Sequence, residues 1–155
     1  MTMSHVAIED LSAELSEAIT EVLDMLAEAS PHAGRRVGVS ETSLEVEIDI
    51  LSTPPTKLTI GSDLMSCLRL ADMWQLTSDD EASRLLDAQD AFCEFANLAG
   101  GAVKSIFSEE SSLGIPTVRI LPAESKAHGS ADCENHDLIR HAVGNFTAQL
   151  REMSA

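Results

Sequence analysis

From Ile8 onward the apolar residues Leu11, Leu15, Ile19, Val22, Leu23 and Leu26 recur at intervals of three and four, and Glu14, Glu17, Glu21 and Asp24 fill the gaps. This spacing predicts an amphipathic helix over 8–29, closed by Ser30-Pro31 because the residue before a proline is pushed out of helical geometry. The period then changes. Leu44, Val46, Ile48 and Ile50 alternate with Glu45, Glu47 and Asp49, which predicts a strand with one wet face. Thr53-Pro54-Pro55 punctuates, and Lys57 to Ile60 gives a second short strand, so the two form an antiparallel pair. Ser62-Asp63 is a helix cap ahead of Leu64, Met65, Leu68, Leu70 and Ala71. Ser78-Asp79-Asp80 opens a helical stretch that runs to Phe107, as one bent helix or as a short and a long one. The run SEESSLGIP is a loop, and Thr117 to Leu121 is a strand. A polar segment over 123–137 reads as a turn or an irregular surface loop. Beyond it Leu138, Ile139, Ala142, Val143, Phe146, Leu150 and Met153 predict a C-terminal helix over about 136–153, weakened by Gly144.

Length and composition narrow the class. A chain of 155 residues fits one domain over 1–155, and its 44% hydrophobic content is enough to build a core without disulfides or a structural metal. The four Phe, one Trp and absent Tyr leave no aromatic platform for stacking nucleobases. A formal charge of −16 repels phosphate backbones and anionic lipid, which argues against nucleic acid and membrane partners. Cys67, Cys93 and Cys133 are odd in number and lack a CxxC pair, as expected for buried thiols in the reducing cytoplasm. No basic segment precedes an apolar one at the N-terminus, and no stretch reaches 18 apolar residues. We therefore expect a cytoplasmic protein with no cofactor of its own.

The chemistry concentrates in DAQDAFCEFANLAGGAVKSIF, a predicted helix over about 87–107. Asp90, Glu94, Asn97, Gly101 and Lys104 fall along one side at steps of four, three, four and three, while Phe92, Phe95, Leu98, Ala99, Ala102, Val103 and Ile106 are left for burial. Glu94 can accept from a cation, and the Asn97 amide can both donate to and accept from a water. The same spacing also arises on ordinary solvated helices. The five histidines are scattered through the termini and predicted loops, and neither a nucleophile elbow nor a GxxxxGK loop is present. These residues do not make a self-contained hydrolase; a site completed by a partner fits them better. Gly100-Gly101 costs helix propensity by roughly 1 kcal/mol per glycine, which a close helix contact, an approaching partner backbone or a simple irregularity would explain.

The run Asp90-x-x-x-Glu94-x-x-Asn97, followed by Ala99-Gly100, Lys104 and Leu113-Gly114-Ile115-Pro116-Thr117-Val118, resembles the signature segment of the CheC, CheX and FliY chemotaxis phosphatase family. The specific part covers about 30 residues, with an Asn97 to Pro116 interval shorter than the family's usual spacing. The order of elements extends the likeness over 8–121. The resemblance implies an α+β, two-layer fold with long helices packed on a mainly antiparallel sheet. It also implies an aspartyl-phosphate phosphatase that acts in trans on a phosphorylated response-regulator receiver domain. The receiver brings a bound Mg²⁺ and a lysine, Glu94 pairs with that lysine, and Asn97 positions the hydrolytic water. Asp90 either bonds within the helix or touches the receiver, and Gly101 and Lys104 lie on the same expected docking face. A single such segment is similar to the CheX-like form, a homodimer whose sheet continues across subunits. The alternative is a noncatalytic adaptor of the same fold that binds a receiver or a flagellar switch component.

Overall fold

The structure is a computed structural model, described here for residues 11–29, 42–107, 111–121 and 137–153. In chain order the elements are α1 (Ser12–Ala29), β1 (Ser43–Leu51), β2 (Thr56–Asp63), α2 (Leu64–Met73), α3 (Glu81–Phe107), β3 (Ser112–Leu113), β4 (Thr117–Leu121), β5 (Asp137–Arg140) and β6 (Asn145–Glu152). The six strands form one sheet in the order β3-β1-β2-β6-β5, with β4 also paired to β1, so β3 and β4 share one flank of β1 in tandem. Every pairing is antiparallel. This is the expected α+β arrangement of helices on an antiparallel sheet.

The period-two pattern decides which face is covered. Val46 pairs with Ile60 and Ile48 with Leu58, which in turn pair with Ala148 and Leu150 of β6; all six are buried. The intervening residues form a charged outer face, where Lys57 meets Glu47 at 3.4 Å and Asp49 at 4.0 Å, and Arg119 donates to Glu45. The helices close over the apolar face. Here α3 packs on β1, β3 and β4 and against both other helices, and α1 also reaches β5. Asp63 caps α2 as expected: its carboxylate accepts from the Ser66 N–H at 2.8 Å and the Ser66 hydroxyl at 3.0 Å. Between Ser78 and Phe107 there is one continuous helix of 27 residues rather than two.

The expected C-terminal helix over about 136–153 is not formed. Those residues make the β5–β6 hairpin, in which Phe146, Ala148 and Leu150 point inward while Thr147, Gln149 and Arg151 point outward against β2. A two-residue turn, Ala142-Val143, joins the strands, with His141 and Gly144 exchanging backbone hydrogen bonds at 3.0 and 3.1 Å. Tertiary pairing with β2 overrides local helical spacing, because each β6 residue gains both a ladder bond and, at alternate positions, a place in the core. The hairpin is tied to α1. His141 Nδ1 accepts from the Val143 N–H at 3.1 Å, which puts the ring proton on Nε2, and Nε2 lies 2.7 Å from Asp24 Oδ1.

Candidate functional site

The start of α3 is fixed by two carboxylates. Asp80 Oδ1 accepts from the Ser83 N–H at 2.9 Å, and bonding to Ser83 holds the Asp80 carboxyl below its ordinary range. Asp87 Oδ2 accepts from the Ser78 N–H at 2.9 Å and ties the preceding turn to the helix. Along the inner side Ala88, Ala91, Phe92, Phe95, Ala96, Ala99, Gly100 and Val103 are buried. Phe95 contacts Phe146 at 5.1 Å between ring centroids and stacks with Phe92 at 6.3 Å, while the alanines let neighbouring elements approach. The helix is clamped along much of its length. Its outer face is thereby rigid without using any outer side chain.

That outer face carries Asp90, Glu94, Asn97 and Gly101, all exposed. Glu94 and Asn97 are successive neighbours on one side, with Cβ atoms about 5–6 Å apart on an ideal helix. Among the described residues no hydrogen bond or ion pair engages the side chains of Asp90, Glu94 or Asn97. Lys104 is half-buried in the last turn, where a cation complements the carbonyl end of the helix. It lies about 15 Å from Glu94 along the axis of an ideal helix, so the two cannot act on one reacting group. Cys93 sits beside the row; burial first, and then the Asp90 charge, push its thiol up, which keeps it neutral at neutral pH. Among the described residues no group of three or more His, Cys, Asp or Glu could hold a metal ion, and no helix is long and apolar enough to cross a membrane. Cys133 and the segment 123–136 lie outside the described residues.

The paired glycines separate into two cases. Gly100 is buried under β3: a Cβ there would lie 3.3 Å from a Leu113 methyl and 3.5 Å from Ile48 Cδ1. Gly101 faces open space, with nothing within 4 Å of a built Cβ. Gly101→Ala should therefore stabilise the fold by about 1 kcal/mol, measured by denaturant unfolding. A partner backbone that seats against Gly101 would turn that gain of stability into a loss of docking.

Two exposed apolar side chains lie on α3 and in the strand corner packed near it. Leu86, 59% exposed, lies one turn before Asp90 on the same face. Ile115, 90% exposed, lies in the corner between β3 and β4, two residues beyond the Leu113 that covers Gly100. Ile115 belongs to the Leu113-to-Val118 run that carries the family resemblance, which gives it no role of its own.

No family model matches the chain, and no curated protein matches it either. Solved structures do. A chemotaxis protein CheX from Desulfovibrio desulfuricans superposes with a TM-score of 0.56 at 12% identity, over 90% of this chain and 99% of that one. A putative chemotaxis protein from Desulfovibrio vulgaris Hildenborough gives 0.58 at 14% identity, over 90% of this chain and 97% of that one. At such identities the likeness is one of fold: the helices and antiparallel sheet follow a CheC/CheX-like architecture.

Proposed function

We propose that this chain is a cytoplasmic phosphatase that acts in trans on the aspartyl phosphate of a response-regulator receiver domain. The observation that carries the reading is the exposed pair Glu94 and Asn97, without a hydrogen-bond or ion-pair partner among the described residues, on the outward face of a helix whose other face is locked into the core. The rigid helix removes the backbone's share of the ordering cost on docking, while the two free side chains still give up rotamer freedom when they bond to a partner. The CheX-like fold, together with the Glu-x-x-Asn spacing, gives the partner its identity in this reading.

In the docked complex the Glu94 carboxylate pairs with the receiver's lysine, which fixes the register of α3 across the phosphorylated site. Asn97 then accepts one hydrogen bond from a water through Oδ1 and holds the water oxygen in line with phosphorus. The water oxygen bonds to phosphorus as the bond from phosphorus to the aspartyl oxygen breaks. Inorganic phosphate departs with the water's oxygen and both of its protons, as dihydrogen phosphate, and leaves behind a free receiver carboxylate. Asn97 orients the water without deprotonating it, and a Mg²⁺ bound by the receiver would neutralise charge on the phosphoryl oxygens, so that alignment and electrostatics together lower the barrier. Asp90 and Gly101 flank the contact, and Lys104 supports the far end of the helix. The same resemblance leads us to expect a homodimer, built by continuing the sheet from an edge strand.

The test is the decay of a phosphorylated receiver in Mg²⁺ with and without the protein, across a panel of receivers from the same cell. Acceleration by catalytic amounts is the expected result. Glu94→Ala should raise the receiver concentration for half-maximal rate by roughly tenfold to a hundredfold, the usual cost of losing a charge-assisted hydrogen bond. Receivers that bind but decay at their own rate would instead identify an adaptor.

A further inference from the structure

We infer that the receiver makes its closest approach to α3 over the bare backbone of Gly101, with its phosphorylated loop on that side of Asn97 and its lysine on the other, so that the size of residue 101 sets docking. The inference rests on the receiver-docking reading above, and it starts from a cost that the fold leaves unexplained. A glycine inside a helix lowers stability relative to alanine. Gly101 meets none of the internal reasons for keeping one. Its φ is not positive, so the backbone conformation does not require glycine. Among the described residues nothing lies within 4 Å of a Cβ built on it, so no neighbour requires the room. It stands more than a turn before the end of α3 at Phe107, so it does not close the helix. Gly100, under Leu113, is the contrasting case with a packing reason. The room at Gly101 opens only outward.

Position gives that room an occupant. Gly101 follows Asn97 by one helical turn on the same exposed side, which puts a side chain at 101 about 5–6 Å from the Asn97 Cβ. The Asn97 amide oxygen stands only two bonds beyond its Cβ. To hold a water about 3 Å from that oxygen, in line with a phosphorus roughly 3–3.5 Å further on, the helix surface must come down between the walls of the receiver's cleft. The wall over the next turn then meets position 101, where the backbone is uncovered. Charge decides which wall it is. Toward the N-terminus from Asn97 the exposed side carries the carboxylates of Glu94 and Asp90; toward the C-terminus it carries Gly101, and the next charge is the cation Lys104. An anionic phosphorylated loop is repelled from the first side and accepted on the second, while the receiver's lysine goes to Glu94.

The test adds bulk at 101 and reads affinity and stability together. The probe is a receiver held in its phosphorylated form by beryllium fluoride and Mg²⁺, which the protein cannot hydrolyse. Gly101→Ala should weaken binding by about fivefold and Gly101→Leu by about a hundredfold, the span expected when bulk is forced into a close contact. Both variants should unfold at or above the wild-type denaturant midpoint, because alanine and leucine are the better helix formers and meet nothing inside the described fold. A glycine kept for the fold would give the reverse, a lower midpoint with unchanged affinity in the folded protein. Ala82→Leu, exposed on the same helix about 22 Å from Asn97 along the axis, adds similar bulk and should leave binding unchanged. Wild-type affinity in Gly101→Leu, or an equal loss in Ala82→Leu, overturns the assignment, and accelerated decay by the wild type then leaves the phosphatase reading standing. A receiver that binds without faster decay overturns the phosphatase reading, while the size series still decides Gly101. Absence of binding to every receiver overturns both.

Discussion

Asn97→Ala should reduce the acceleration of receiver dephosphorylation by about 100-fold, toward the receiver's own decay rate, while binding and stability remain near wild type. The magnitude follows from the role assigned to the amide: a misaligned nucleophile loses most of the benefit of being held, and a displacement of about 1 Å can cost about a hundredfold in rate. The selectivity follows from the structure. Asn97 is exposed and makes no hydrogen bond among the described residues, so the fold has nothing to lose at this position. Alanine is also the better helix former, which sets the expected change in stability within about 0.5 kcal/mol and in the favourable direction. Stopped or sampled decay of the phosphorylated receiver gives the rate, and a titration gives the affinity. A folded Asn97→Ala protein that still accelerates decay would falsify water positioning by this residue.

Phe95→Ala should destabilise the protein by about 3–5 kcal/mol, a large share of the roughly 5–15 kcal/mol that holds an ordinary domain together. Phe95 is fully buried and belongs to a trio with Phe92 and Phe146 that joins the middle of α3 to β6. Its neighbours are held by helix and sheet hydrogen bonds and cannot collapse into the space that a ring leaves, so a cavity term adds to the lost burial. Chemical unfolding followed by circular dichroism measures the loss. The effect on function should track the fraction folded, in contrast to Asn97→Ala, because Phe95 lies on the opposite side of the helix from the row. A loss under about 1 kcal/mol would mean that the three rings are not packed as described.

The elements that declare themselves in sequence are those whose pattern has one physical explanation. In α1 the three-and-four spacing is backed by acidic residues on the opposing face, and β1 shows strict alternation over Leu44 to Ile50 with a charge at each outward position. The C-terminal hairpin was misread because two short strands can counterfeit a helix. Leu138 and Ile139 are adjacent yet face opposite ways, and the apolar turn residue Val143 is buried, which supplies false members to a helical series. The true signal was Phe146, Ala148 and Leu150 at period two, preceded by Gly144-Asn145; Ala148 is too small to stand out as apolar. At the site, the row from Asp90 to Gly101 was legible from spacing alone, since burial on one side of a helix forces exposure on the other. The packing of Leu113 over Gly100 was not legible, because it is a contact between segments that sequence spacing does not encode.

The order of strands has a consequence for how the chain is made. β2 takes β1 as one neighbour almost at once, through the short Pro-Pro connection, but its other neighbour is β6, with Thr56 opposite Glu152. During synthesis the open side of β2 must wait until α2, α3 and the whole of β3 to β5 have left the ribosome. Closing so long a loop is slow, and an unpaired strand edge invites other chains in the meantime. The interval is also when Phe95 and Phe92 lack Phe146. The nascent protein thus carries the row from Asp90 to Gly101 on a helix whose floor stays unfinished until β6 pairs with β2.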